Sequence, residues 1–111
     1  MICDLGTHKL SYEITGTPNG PALLLGHCFG SNKHFFDDQI PILTDYQIVR
    51  YDTRGHGESD TPAGPYSLDD LGNDAIALLD FLKIGKAHYV GVSMGGMIGQ
   101  LLAANHQDKL L

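Results

Sequence analysis

Cysteine is scarce in this chain. Cys3 and Cys28 are the only two, and their separation matches no zinc-ligand spacing. A lone pair without an export signal reads as two free thiols, so neither a disulfide framework, a redox role nor a metal site is expected. Basic residues are few as well: seven Lys and Arg stand against thirteen Asp and Glu, for a formal net charge of −6. No run of bases is present that could track a phosphate backbone, which argues against a nucleic-acid partner. Long apolar runs are also missing. Nothing approaches the roughly 18 residues that span a bilayer, and Met1-Ile2-Cys3-Asp4 lacks the basic start and apolar core of a secretion signal. The expectation is a cytoplasmic protein with no membrane partner.

What the chain does have is enough apolar content for a core. Of its 111 residues 42% are hydrophobic and 18% charged, the balance of one globular unit. Strand and helix signals alternate, which predicts an α/β fold whose core strands run parallel. Ile2 to Leu5 and Lys9 to Thr15 flank Gly6-Thr7-His8 as an N-terminal hairpin, and Thr17-Pro18-Asn19-Gly20-Pro21 breaks the chain. Ala22 to Gly26 follows as a short buried strand, His34 to Leu43 as a helix with Pro41 near its end, and Gln47 to Asp52 as a strand. Thr53 to Tyr66 is a long loop. Ser67 with Asp70 forms an acidic capping pattern, after which Leu68, Leu71, Ala75, Leu78, Leu79 and Leu82 recur at helical spacing. Gly85 is the predicted left-handed stop, Ala87 to Val92 the next strand, and Met94 to His106 a second helix with Met97, Ile98, Leu101 and Leu102 along one stripe.

Chemistry concentrates where that last strand meets its helix. Gly91-Val92-Ser93-Met94-Gly95 fits G-x-S-x-G, in which a serine occupies a sharp strand-to-helix turn with its hydroxyl above the sheet. The flanking glycines are explained by crowding: positions two before and two after the serine approach neighbouring backbone too closely for a side chain. The helix that starts at once aims its N-terminus at developing negative charge. Ser93 is therefore the candidate nucleophile, and the N–H of Met94 one donor to an oxyanion. A second donor should come from the loop after an earlier central strand; His27-Cys28-Phe29-Gly30-Ser31 lies there, and the N–H of Phe29 is the candidate, with Gly30 letting the loop fold back. The plainer alternative makes that segment a turn into the next helix.

Taken in order, the His27-to-Ser31 segment, Tyr51-Asp52-Thr53-Arg54-Gly55-His56-Gly57-Glu58-Ser59-Asp60 and the Gly91-to-Gly96 turn resemble the α/β-hydrolase family over essentially the whole chain. Asp-Thr-Arg-Gly-His-Gly and Ser-Met-Gly-Gly-Met-Ile-Gly-Gln are most similar to the 3-oxoadipate enol-lactonases and related small-ester hydrolases, although haloperoxidase-like and carbon–carbon bond hydrolase branches share much of this wording. The resemblance implies hydrolysis of a small-molecule ester or lactone through a Ser93 acyl-enzyme, without cofactor or metal. Where many members have glycine after the histidine of the oxyanion segment, this chain has Cys28, read as packing below the hole.

The family's acid and histidine follow the nucleophile, each after a further strand. His106 and Asp108 lie about 20 Å from the turn along the helix, beyond reach of Ser93. Residues 1–111 thus read as the N-terminal portion of a single hydrolase domain, with the triad's acid and His absent from it and the isolated chain inactive. The alternative is a non-catalytic hydrolase-fold fragment or a module that binds a ligand or partner. His8, His34 and His88 read as structural, His27 and His56 as holding loops through hydrogen bonds, and Asp52 with Arg54 as a local ion pair or loop brace. Gly55-x-Gly57 lacks the third glycine of a dinucleotide site, position 60 being Asp. A strand beginning just after Leu111 would by resemblance lie beside the one ending at Ser93; without it, an apolar parallel-sheet edge is exposed, and self-association through that edge is expected.

Overall fold

The computed structural model describes Met1 to Leu111. Five strands form one mixed sheet: β1 (Ile2–Asp4), β2 (Lys9–Gly16), β3 (Ala22–Gly26), β4 (Gln47–Tyr51) and β5 (His88–Gly91), in the spatial order β1-β2-β4-β3-β5. The hairpin β1–β2 is antiparallel, as is β2 with β4, while β3 runs parallel to both β4 and β5. Two helices pack on it, α1 (Leu68–Phe81) between β4 and β5 in the chain and α2 (Met94–Asn105) after β5.

Side chains of a strand point alternately to the two faces, and β3 shows both destinations. Leu24 joins Val49, Tyr51, Leu71, Ala75, Leu78, Leu79, Ile98 and Leu102 in the main core beneath the helices. Leu23 and Leu25 join Ile48 and Phe36 in a smaller cluster on the other face. All five residues of β3 are buried, the pattern of a central parallel strand covered on both sides. α1 follows its sequence pattern closely: the Ser67 hydroxyl accepts from Asp70 N–H, and the Asp70 carboxylate accepts from Ser67 N–H.

Three expectations need correction. Residues 34–43 make no α-helix but two 3-10 turns, Lys33–Phe36 and Ile40–Ile42. Pro41 cannot donate to the carbonyl four residues back, and it disfavours helical backbone at Ile40; Asp37, meanwhile, is drawn to Arg50 at 2.5 Å. The left-handed residue after α1 is Lys83, at φ 58, rather than Gly85. On α2 the buried stripe is Met94, Ile98 and Leu102, with Met97 about half exposed.

β5 lies at the margin of the sheet, and Val90 is 50% exposed. Ala87 N–H donates to Lys109 O, and Leu111 N–H to Ala87 O, one parallel rung at Ala87–Leu110. The rest of that edge is open. No helix is long and apolar enough to cross a membrane.

The capping box offers a simple test of α1. Ser67→Ala leaves an orphan N–H at the helix start and is expected to lower stability by about 1 kcal/mol, read from the midpoint of urea unfolding.

Candidate active site

Ser93 stands between β5 and α2 with φ 55 and ψ −113, a backbone conformation rarely adopted by residues other than glycine. Its side chain makes no capping hydrogen bond to the helix. The turn is held by backbone: Val92 N–H donates to Gly26 O at 3.1 Å, Gly95 N–H to Val92 O at 3.0 Å and Met97 N–H to Ser93 O at 2.9 Å. Met94 opens the helix, where a helical N–H has no intrahelical acceptor.

The glycines explain why this shape is possible. A Cβ at Gly91 would run into the Gly95 carbonyl, and one at Gly95 into the carbonyl of Gly26. Three backbones therefore touch at one point: the end of β3, the end of β5 and the first turn of α2. Because Gly26 pairs with Gly91 across the sheet, the segment that continues from β3 emerges beside Ser93.

That segment is His27 to Ser31. It turns sharply, closed by Ser31 N–H to Cys28 O at 3.2 Å, with Gly30 at φ 78. Phe29 is 78% exposed, its ring edge-on to His56 at 5.5 Å between centroids. Cys28 is half-buried, neither sealed in the core nor fully displayed. His27 is fully buried and ties the segment down. Its Nδ1 lies 2.8 Å from Cys28 O, which can only accept, so Nδ1 carries the proton; Nε2 is then free to accept Thr53 N–H at 3.0 Å. Burial holds the His27 pKa below its ordinary value; the bond to the Cys28 carbonyl is the chief opposing effect, and the charges of His56 and Asp52 act more weakly, in opposite directions. His56 Nδ1 bonds Arg54 O at 3.1 Å. Both histidines thus make the loop-holding bonds expected of them.

Asp52 and Arg54 brace the site without pairing to each other. Asp52, fully buried, accepts Lys33 N–H at 2.7 Å, Lys33 Nζ at 3.0 Å and Glu58 N–H at 2.9 Å. Burial alone would raise its pKa, but these donors outweigh that and hold the carboxyl below its ordinary value. Gly57 owes its place to this carboxylate, which a Cβ there would strike. Lys33 is 3% exposed and also reaches Ser11 Oγ at 3.0 Å and Glu58 at 2.9 Å. Arg54 instead forks onto Asp74 of α1, at 2.6 and 2.7 Å, and His8 meets the same carboxylate at 2.9 Å. Lys33 and Asp74 were missed from sequence. Asp74 had a signal, an acid lying on the apolar face between Leu71 and Leu78; Lys33 had none.

Comparison with known proteins agrees with this fold. Residues 21–111 match the model of the alpha/beta hydrolase fold family. The chain is 46% identical over 101 residues to 3-oxoadipate enol-lactonase 2 of Acinetobacter baylyi, covering 90% of this chain and 38% of that protein. It is 40% identical over 106 residues to a putative carbamate hydrolase, RutD, of Caulobacter segnis, covering 91% and 40%. The crystal structure of the enol-lactonase from Burkholderia xenovorans superposes with a TM-score of 0.96 at 37% identity, over 99% of this chain and 44% of that one. The chain thus spans about two fifths of the length of these relatives.

Two tests follow from the braces. Removing one partner of the buried pair, as in Asp52→Ala, leaves the buried Lys33 charge with only the exposed Glu58 carboxylate and orphans the Lys33 and Glu58 N–H groups, and is expected to cost about 3–5 kcal/mol by urea unfolding. His27 has a depressed folded pKa, so its contribution is complete above the unfolded value of about 6.5 and is lost as pH falls towards the folded value, when Nε2 would turn a second donor towards Thr53 N–H. Wild type should therefore lose more stability between pH 7.5 and pH 5 than His27→Gln, compared by unfolding midpoints. With its fold, its strand-to-helix serine turn and these relatives in hand, the chain belongs to the α/β-hydrolase family.

Proposed function

We propose that Ser93 is the nucleophile in hydrolysis of a small carboxylic ester or enol-lactone, and that residues 1–111 form the N-terminal portion of a single hydrolase domain. The observation that carries this reading is the Ser93 turn itself: φ 55 at a non-glycine residue, bought by backbone contacts at Gly26, Gly91 and Gly95. Strain of this kind persists only where the surroundings hold it, and it concentrates at functional sites.

In the proposed reaction the Ser93 Oγ attacks the acyl carbonyl while a base takes its proton. The carbonyl oxygen becomes an oxyanion, held by the N–H groups of Met94 and Phe29 and favoured by the N-terminal end of α2. Collapse breaks the acyl C–O bond as the base returns its proton to the leaving oxygen, which departs as an alcohol from an ester and stays tethered as an enol in a lactone, and water then releases the acid from the acyl-enzyme. Two relatives bear the names enol-lactonase and putative carbamate hydrolase, both reactions at a carboxyl-type carbonyl, which supports this class of chemistry over others.

No base for Ser93 is assigned within the 111 residues. His27 spends both ring nitrogens on the loops, and His56 is bonded to Arg54 O. The acid and histidine are assigned to sequence following Leu111, in keeping with the two-fifths coverage of the relatives. Alone, the chain is a weak catalyst, because an unassisted serine loses most of its nucleophilicity at neutral pH. It also self-associates through the open β5 edge, where Val90 and Val92 are exposed.

In a protein carrying this segment through its acid and histidine, Ser93→Ala is expected to abolish hydrolysis of nitrophenyl esters. Retained activity in that variant sinks the reading, as would robust Ser93-dependent turnover by the 111-residue chain for the missing-base part of it. Sedimentation of that chain is expected to show oligomers rather than a compact monomer.

A further inference from the structure

The first turn of α2 is built from poor materials. Gly95, Gly96 and Gly99 fall within its first six residues, and each glycine costs a helix roughly 1 kcal/mol relative to alanine. Crowding demands Gly95, as shown above, so the weakness comes with the packing. The usual remedy is a side-chain cap, and here the N-cap residue is Ser93, whose hydroxyl makes no such bond. A serine offered to substrate is not available as a cap.

Tyr89, four residues before Ser93 on β5, meets this weakness. Its hydroxyl donates to Gly95 O at 2.7 Å. The ring reaches that carbonyl through a gap kept open by two glycines: a Cβ at Gly26 would strike the Tyr89 hydroxyl, and one at Gly99 would lie 2.7 Å from the ring. Burial first, and Tyr51 second, push the Tyr89 pKa far above the ordinary phenol value, so the group remains a donor throughout the working pH range. Gly95 is also the residue whose Cβ would lie 2.9 Å from the His27 carbonyl. The bond therefore acts where α2 faces the candidate oxyanion segment.

We infer that Tyr89 is a positioning residue: by bonding Gly95 O it stiffens the glycine-rich first turn of α2 and so holds Ser93 and the Met94 N–H in register with the His27–Ser31 segment. This deepens the proposed function and rests on it for the roles of Ser93 and Met94. The Tyr89 side chain itself stays beneath the turn and takes no part in bond making.

Hydrogen exchange of a protein carrying this segment through its acid and histidine, read by mass spectrometry at low micromolar concentration, tests the mechanical claim directly. In Tyr89→Phe the ring remains and one hydrogen bond is lost, a change of about fivefold for a bond of ordinary strength. Exchange across Met94–Gln100 is expected to quicken by that factor while α1 and β3 change less than twofold. Unchanged exchange there, or the same acceleration everywhere, overturns the inference. Should the phenylalanine variant fail to fold, 3-fluorotyrosine placed at position 89 keeps the ring and strengthens the donor; slower exchange in the same segment supports the inference, and no change or faster exchange overturns it. In the complete protein, Tyr89→Phe is expected to lower kcat about fivefold with KM within twofold, whereas an unchanged kcat overturns the positioning role. Hydrolysis that survives Ser93→Ala overturns the site reading instead, an outcome distinct from any exchange result.

Discussion

Backbone touches backbone where β3, β5 and α2 meet, and most of what is notable in this chain follows from that contact. Gly26, Gly91 and Gly95 leave no room for a side chain between them, so the sheet and the helix close to the minimum distance and the residue between them is forced to φ 55. The same closeness places the segment after β3 beside the start of α2. Bulk at any of these positions would separate the two and relax the serine turn. The cost is a helix that begins with glycines and lacks a side-chain cap, which makes the half-buried Tyr89 hydroxyl on Gly95 O more consequential than an average hydrogen bond.

Around that junction the loops are held by buried charge rather than by apolar packing. Asp52 collects three donors from Lys33 and Glu58, and Asp74 collects Arg54 and His8. Each carboxylate joins distant parts of the chain: Asp52 links the 3-10 turn after the candidate oxyanion segment to the long loop, and Asp74 links α1 to that loop and to the β1–β2 turn. A buried ion pair of this kind contributes little net stability over a well-packed apolar pair, but losing one partner is expensive. Its use here is to specify where each loop lies. The neutral His27, accepting from Thr53 and donating to Cys28, completes the set.

Much of this was legible from residue order alone. The alternation of strands and helices, the Ser67–Asp70 box, the serine turn and the glycines around it were all readable, because each depends on neighbours within a few positions: a period, a cap, a tight turn. Departures arose from proline within a segment, from distant charge partners and at a helix end. Residues 34–43 gave up a helix to Pro41 and to the pull of Arg50 on Asp37. Lys83 entered the left-handed region although Gly85 lay two positions on. Arg54 passed over Asp52, two residues away, for Asp74, twenty residues away.

The chain's sequence alone therefore determined the α/β class, the order of its five strands and two α-helices and the place of Ser93, since hydrophobic period and glycine spacing are local properties that no long-range contact had to supply. Tertiary structure alone decided which charges pair, which ring nitrogen of His27 carries the proton and which tyrosine underpins the serine turn. Those choices depend on which groups are desolvated together, and burial is a property of the folded chain that spacing along it does not encode.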